Sequence, residues 1–363
     1  MKGCPTEIPE FRRRLLDWFR RSRRDLPWRR TRDPYRIWLS EIMLQQTRVA
    51  AVLPYYRRFL RRFPTLRALA GARTEQVLRL WAGLGYYSRA RNLHRAAKQV
   101  LAEHDGRFPR KLGAALELPG IGRYTAAAVL SIAYGAPHAV LDGNVARVLA
   151  RLEAMPGDPR ASRRWRHLQS LAQELLAPRA PGDWNQAMME LGATVCTPRA
   201  PRCDACPVSR WCRAYQMGIA EKLPLARSKR APVRVRIAAA VLLDRSGRTL
   251  VVQDSAGDDG ALFSRMWQFP AVRVSRHAEK ELAGLLHALF GRAWPTKEAD
   301  GLVPLPPARH SVTFREVTLS PFLVRVERLP DIAGARTPLL AQLDRLPVSS
   351  ATRKIAAAAQ QLT

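Results

Sequence analysis

Leu118-Pro119-Gly120-Ile121-Gly122-Arg123-Tyr124-Thr125 interrupts a long helical run with two glycines and then starts another helix. Glycines at this spacing free the backbone to turn tightly and let amide groups approach a ligand. The helix that follows opens at the turn, so its N-terminus can hold a phosphate. A turn between two packed helices is the plainer reading of so short a motif. Downstream, Val140-Leu141-Asp142-Gly143-Asn144-Val145 places an aspartate between an apolar run and a new helix start. In that position an aspartate serves as an N-cap.

Further on, Cys196, Cys203, Cys206 and Cys212 form a C-x6-C-x2-C-x5-C array. Thiolates so spaced converge on one metal centre, either a structural zinc or an iron–sulfur cluster. Zinc sites usually take two close cysteine pairs, and only Cys203 and Cys206 make one here. Cys4 is left over and reads as a free thiol.

The 363 residues suffice for about two domains. Lys and Arg number 61 against 30 Asp and Glu, a formal charge of +31. An excess of this sign attracts polyanions, nucleic acid first. Arginine richness inherited from genomic base composition is the alternative, but it does not explain why acidic residues are few. Met1 to Glu10 is polar and holds a proline, so a cytoplasmic location is expected. Tyr124 to Leu141 carries no charge, yet Gly135 and Pro137 break it, so a buried helix ending near Tyr134 is expected and no membrane span.

Phe11 to Arg24 has Phe11, Leu15, Trp18 and Phe19 at helical spacing with arginines between them. Asp33-Pro34 signals a helix start, and Tyr35 to Leu60 predicts two helical segments split at Pro54. Helices are expected over 65–80, 88–103, 144–151 and 164–176. After Pro224 the pattern changes. Residues 226–232 suit a linker, 233–243 and 249–253 read as strands, 279–290 as a helix, and 317–326 as a strand that Pro321 would place at an edge or bulge.

Taken in order, L-P-G-I-G-x-Y-T, V-L-D-G-N-V and the cysteine array resemble the helix-hairpin-helix DNA glycosylases. Within them the chain resembles the adenine DNA glycosylases, the MutY family, over roughly residues 8 to 224. Trp38-Leu39-Ser40-Glu41-Ile42-Met43-Leu44-Gln45-Gln46-Thr47 is similar to that family's catalytic helix. The resemblance implies an all-α helix-hairpin-helix catalytic domain over 1–225, with its hairpin near 112–130 and a [4Fe–4S] cluster loop over 196–212. It implies an α+β Nudix-like domain over 233–363 that recognises 8-oxoguanine. The expected partner is double-stranded DNA carrying adenine opposite 8-oxoguanine or guanine. A sliding-clamp contact is expected by analogy alone, and one protein on one lesion suits a monomer, cytoplasmic and nucleoid-associated in a bacterium.

The endonuclease III branch has a lysine where this chain has Tyr124. That lysine would be a Schiff-base nucleophile leading to strand cleavage, so mainly monofunctional chemistry is expected. Cleaving an N-glycosidic bond needs a better leaving group and a stabilised oxocarbenium-like sugar, and two carboxylates in different environments supply both. Glu41 sits among Ile37, Trp38, Ile42 and Leu44, so burial should raise its pKa and keep it an acid toward adenine N7. The resemblance gives Asp142 to the sugar cation, with Tyr124 and Asn144 in support. It places Arg24, Leu26, Trp28 and Gln186 around a flipped adenine, and Gln46 and Tyr86 in the stack near the opposite base. Tyr86 follows Gly83-Leu84-Gly85, read as a flexible loop. Gly120 and Gly122 would meet the DNA backbone.

Trp267-Gln268-Phe269-Pro270 is similar to a pattern of the family's C-terminal domain. The helix from Ala278 lacks the glutamate-rich Nudix box, so pyrophosphate hydrolysis is not expected. Arg309-His310-Ser311-Val312-Thr313-Phe314 stands where the family has a Phe-Ser-His loop. Thr313 keeps a hydroxyl, but Val312 and Phe314 depart from the pattern. An alternative register puts His310 and Ser311 at the contact. Either way 8-oxoguanine specificity is left open.

Overall fold

The computed structural model describes residues 7–225, 231–253, 266–291, 301–312 and 315–362. The helical half runs α1 (Ile8–Ser22), α2 (Pro34–Leu44), α3 (Val49–Arg62), α4 (Leu66–Ala70), α5 (Thr74–Trp81), α6 (Tyr87–Glu103), α7 (Leu112–Leu116), α8 (Arg123–Tyr134), α9 (Gly143–Leu152), α10 (Ser162–Leu175), α11 (Pro181–Thr194) and α12 (Arg213–Gln216). The second half holds β1 (Val233–Leu243), β2 (Val252–Gln253), β3 (Trp267–Gln268), β4 (Ala271–Arg273), α13 (Ala278–Phe290), β5 (Val303–Pro304), β6 (Ala308–Val312), β7 (Arg315–Arg325) and α14 (Ser350–Gln360).

The chain divides into two compact units. One comprises Met1–Tyr56, Leu60–Ala70 and Arg95–Ser228; the other Arg57–Phe59, Gly71–His94 and Lys229–Thr363. The sequence assigned 57–59 and 71–94 to the helical half, yet they group with the C-terminal residues.

In the first unit α8 is an apolar rod, Ala126 to Leu130 wholly buried, around which α2, α7 and α11 gather, with α9 packed on α11. Phe11, Leu15 and Phe19 seal the same core from α1. Asp33 caps α2 by accepting from the Tyr35 and Arg36 amides. Gly135, at φ 69°, closes α8 in the left-handed conformation that glycine adopts without strain. Two close approaches tighten this core. A Cβ on Gly182 would come 2.7 Å from the Ser131 carbonyl oxygen, and one on Gly192 would come 2.8 Å from Asn144 Cβ. Only glycine lets α11 sit so near α8 and the start of α9.

Pro54 does not split a helix. α3 runs through it, and the break falls after Leu44, where Gln45 leaves helical backbone at ψ 113° and Gln46 follows at φ 56°. A proline near the first turns removes few ladder hydrogen bonds, whereas a left-handed residue redirects the chain. The helix expected over 65–80 is two, α4 and α5.

In the second unit β1 and β7 pair in parallel along their full length at the centre of a mixed sheet, β4-β1-β7-β5, with β6 also on β7. Leu282 and Leu286 of α13 pack on Ala238, Ala240, Leu242, Phe322 and Val324. Pro321 therefore lies in a central strand rather than at an edge. It pairs with Ala239 at the place where the other neighbour passes from β5 to β6, so the missing N–H falls at an existing break. Thr313 and Phe314 lie outside the described residues, as does Cys4. His310 and Ser311 stand in β6 opposite Val317 and Glu316.

Candidate active site and cysteine array

A cavity of about 550 Å³ opens within the first unit where α2, α8, α9 and α11 converge. Glu41, Tyr124, Asp142, Asn144, Arg24, Leu26, Trp28, Gln46 and Gln186 all line it. Gly120 and Gly122 lie at the hairpin that starts α8, and Tyr86 belongs to the second unit.

Glu41 is 5% exposed on the inner face of α2. Burial raises its carboxyl to about 7; a hydrogen bond from Tyr124 opposes the shift and the Asp142 charge adds to it. Tyr124 Oη donates to Glu41 Oε2 at 2.6 Å and also meets Met189 Sδ at 3.2 Å. Burial, then the charges of Glu41 and Asp142, drive the Tyr124 phenol well above its ordinary value, so it remains a donor.

Asp142 is the N-cap of α9, its Oδ1 accepting from the Val145 amide at 2.7 Å. Asn144 Nδ2 donates to Asp142 Oδ2 at 3.2 Å. Burial pushes the Asp142 carboxyl up, while the Val145 and Asn144 hydrogen bonds hold it down. Arg147 orients Asn144 in turn, donating to Asn144 Oδ1, the Gly192 carbonyl and the Cys196 carbonyl at 2.8–2.9 Å. The cavity thus holds one carboxyl that titrates near neutrality and a second, also raised by burial, that accepts hydrogen bonds from Val145 and Asn144. An acid and an electrostatic partner are what glycosidic cleavage asks for.

Sequence reasoning missed Arg29 and Glu190, which also line the cavity. Glu190 is 1% exposed and accepts from Arg24 Nε and Nη2 at 2.8 and 2.7 Å and from Arg29 Nη2 at 2.8 Å. Burial alone would raise this carboxyl, but the two guanidinium groups bring it down to about 2. The available signal was spacing: Glu190 follows Gln186 by one helical turn and so shares its face. Gln46 and Tyr86, the residues expected near the opposite base, both hold left-handed backbone, at φ 56° and 49°. Strain in non-glycine residues concentrates where function requires it.

Cys196, Cys203, Cys206 and Cys212 are free thiols, each half-buried. Among the described residues no three His, Cys, Asp or Glu side chains gather to grip a single metal ion. The donor set is sulfur alone, which suits a soft centre. Burial and the charge of the other three cysteines push Cys206 up to about 12, against a hydrogen bond from the Val208 amide. Arg151, buried, donates to Cys196 Sγ at 3.2 Å and to the Thr197 and Pro198 carbonyls, fixing the first cysteine's loop. The sulfur-only chemistry of the four side chains, rather than an assembled site, is what would suit a cysteine-ligated cluster.

The family described as "HhH-GPD superfamily base excision DNA repair protein" matches residues 39–174. The mouse adenine DNA glycosylase is 36% identical over 96% of this chain and 78% of its own length. The chain belongs to the adenine DNA glycosylase family. The rat adenine DNA glycosylase is 39% identical over 78% of the chain, and the human one 50% over 60%. The chain spans 64% of the rat protein and 41% of the human. Among solved structures, a thermostable thymine-DNA glycosylase is 31% identical, with TM-score 0.54 over 58% of this chain and 98% of that one. An endonuclease III–DNA complex, 22% identical with TM-score 0.51 over 60% and 99%, shares the fold. The helical domain of this adenine DNA glycosylase family member is therefore of helix-hairpin-helix type, followed by a mixed α/β domain.

Proposed function

We propose that this protein is a monofunctional adenine DNA glycosylase of base excision repair, acting on adenine opposite 8-oxoguanine or guanine in duplex DNA. The observation that carries the reading is the pairing of Glu41, held near pKa 7 by burial, with the hydrogen-bonded Asp142 in one cavity. Glu41 gives its proton to N7 of the extruded adenine, and the N-glycosidic electrons leave with the base. Asp142, held in the cavity by the Val145 amide and Asn144, stabilises the oxocarbenium-like cation until water adds and gives up its proton to solvent. Tyr124 holds Glu41 in place and, lacking an amine, forms no Schiff base, so strand cleavage does not follow. The Arg24–Glu190–Arg29 cluster offers hydrogen-bond donors and acceptors to the adenine edge, with Trp28 beside it.

The N-terminus of α8 supports phosphate binding. It has no side-chain cap, and a Cβ on Gly122 would meet nothing within 4 Å. Gly122 has an ordinary φ of −94°, so neither backbone nor packing needs a glycine there. A close-lying DNA backbone does. The four cysteines would hold a [4Fe–4S] cluster. Bound there, it would supply fixed charge and a covalent tie for the loop that Arg147 and Arg151 link to α9.

The test is single-turnover base release on duplexes with adenine opposite 8-oxoguanine, guanine or thymine, with Glu41→Gln as control. Release with both purine partners, lost in the control, is expected. Tight binding with no release from any duplex would leave a DNA-damage binder instead. About four irons per chain should accompany the active protein.

A further inference from the structure

Among the described residues of the second unit, Tyr86, in the segment joining α5 to α6, is the one non-glycine in left-handed backbone. Gly83, Gly85 and Tyr86 hold φ of 108°, 70° and 49°. A bulky aromatic in left-handed backbone is strained and persists only where its surroundings enforce it. The sequence suggested a flexible loop, but it is pinned. The Leu84 amide donates to the Trp81 carbonyl at 3.0 Å, and Trp81 Nε1 donates to the Gly85 carbonyl at 3.2 Å. Arg89, on the first turn of α6, completes the clamp. Its Nη2 donates to the Leu84 and Gly85 carbonyls at 3.3 and 3.2 Å. Its Cζ lies 5.6 Å from the Trp81 ring centre and 5.2 Å from that of Tyr86. The side chain is 9% exposed, so a full charge has been taken from water to hold this turn.

We propose that Arg89 is a positioning residue that holds Tyr86 in its strained conformation, ready to enter the DNA base stack. The proposal rests on the glycosylase reading above. A clamp serving stability alone has no need of a strained tip. Here the tip residue Tyr86 is only half-buried, and a Cβ on Gly85 would meet nothing within 4 Å, leaving open space beside the ring. An aromatic half in and half out of the protein suits stacking on a base. Fixing it beforehand spares the ordering cost at the moment of binding.

The experiment uses the full chain and a mismatch duplex with 2-aminopurine beside the expected insertion point, whose fluorescence rises when its stack opens. Arg89→Lys keeps the charge but loses the planar fork, and Tyr86→Ala loses the ring. Each should lower the fluorescence rise and slow single-turnover release about tenfold, the worth of one base–aromatic stack. The double variant should be no worse than Tyr86→Ala, because Arg89 acts through that ring. Additive losses, or an unchanged fluorescence rise in Arg89→Lys, would overturn the proposal. If Arg89→Lys does not fold, Trp81→Phe removes the indole N–H that shares the Gly85 carbonyl with Arg89 and keeps a ring; a reduced rise supports the clamp and an unchanged one overturns it. The fluorescence needs no bond cleavage, so it separates failure of the clamp from failure of the glycosylase reading.

Discussion

At the scale of single residues, Glu41 sets the pH behaviour. Its carboxyl is raised from 4.5 to about 7 by burial, so the folded protein prefers it protonated. Base release should therefore fall as pH rises through about 7. Stability follows the same proton: the contribution is complete below the unfolded value of 4.5 and is lost as pH climbs through 7. Glu41→Gln should abolish release yet raise the thermal midpoint at pH 8, leaving it nearly unchanged at pH 5, where the native carboxyl is already neutral. An equal effect at both pH values would mean that burial does not govern this group. Gly192 makes a second case. Alanine there would drive a Cβ to within 2.8 Å of Asn144, the residue that aims Asp142. Release should drop at least about tenfold, with stability falling by roughly 1–3 kcal/mol for the overpacking; unchanged rates would show that α11 can give way. The burial of Glu41 and the N-cap at Asp142 were legible in the sequence, because their neighbours are apolar or start a helix; a chemical role for either came only from the resemblance. Glu190 and Arg29 were not, because their pairing joins residues 161 apart.

Elements were read better than their ends. The N-cap at Asp142, the stop at Gly135 and the start at Asp33 are local chemistry, and the structure has all three. Pro321 misled because a proline's effect depends on whether its absent N–H had a partner, and Pro54 because a helix that packs well carries the loss of one bond; the sequence contains neither fact. The hairpin before α8 gives an element-scale test. Gly122→Ala should leave the unfolding transition within about 0.5 kcal/mol, as expected of a change that touches nothing. It should weaken duplex binding and reduce the salt slope by about one phosphate contact. Loss of stability with DNA affinity intact would make Gly122 a packing residue instead.

Across the whole molecule, the change from helix to strand at about residue 233 was legible because the patterns differ in period. The grouping of Gly71–His94 with the C-terminal residues was not, since it depends on side chains that meet only after folding. Glu75 of α5 carries that junction. Arg336 Nη1 reaches Glu75 Oε1 at 2.8 Å, Trp267 Nε1 donates to the same oxygen at 3.3 Å, and the Arg336 guanidinium lies 4.7 Å from the Trp267 ring centre. Trp267 thus ties its strand to the helix that leads into the Tyr86 loop. Glu75 is 36% exposed and Arg336 47%, so solvent screens the pair and its worth is about 1 kcal/mol at most. Glu75→Ala should therefore leave the fold intact but speed proteolytic cutting of the C-terminal residues, and Arg336→Ala should do the same without adding to it. Two additive losses would mean that each side chain stabilises its own neighbourhood. No change in cutting would leave the apolar contacts of this unit as the sole tie between α5 and the strands.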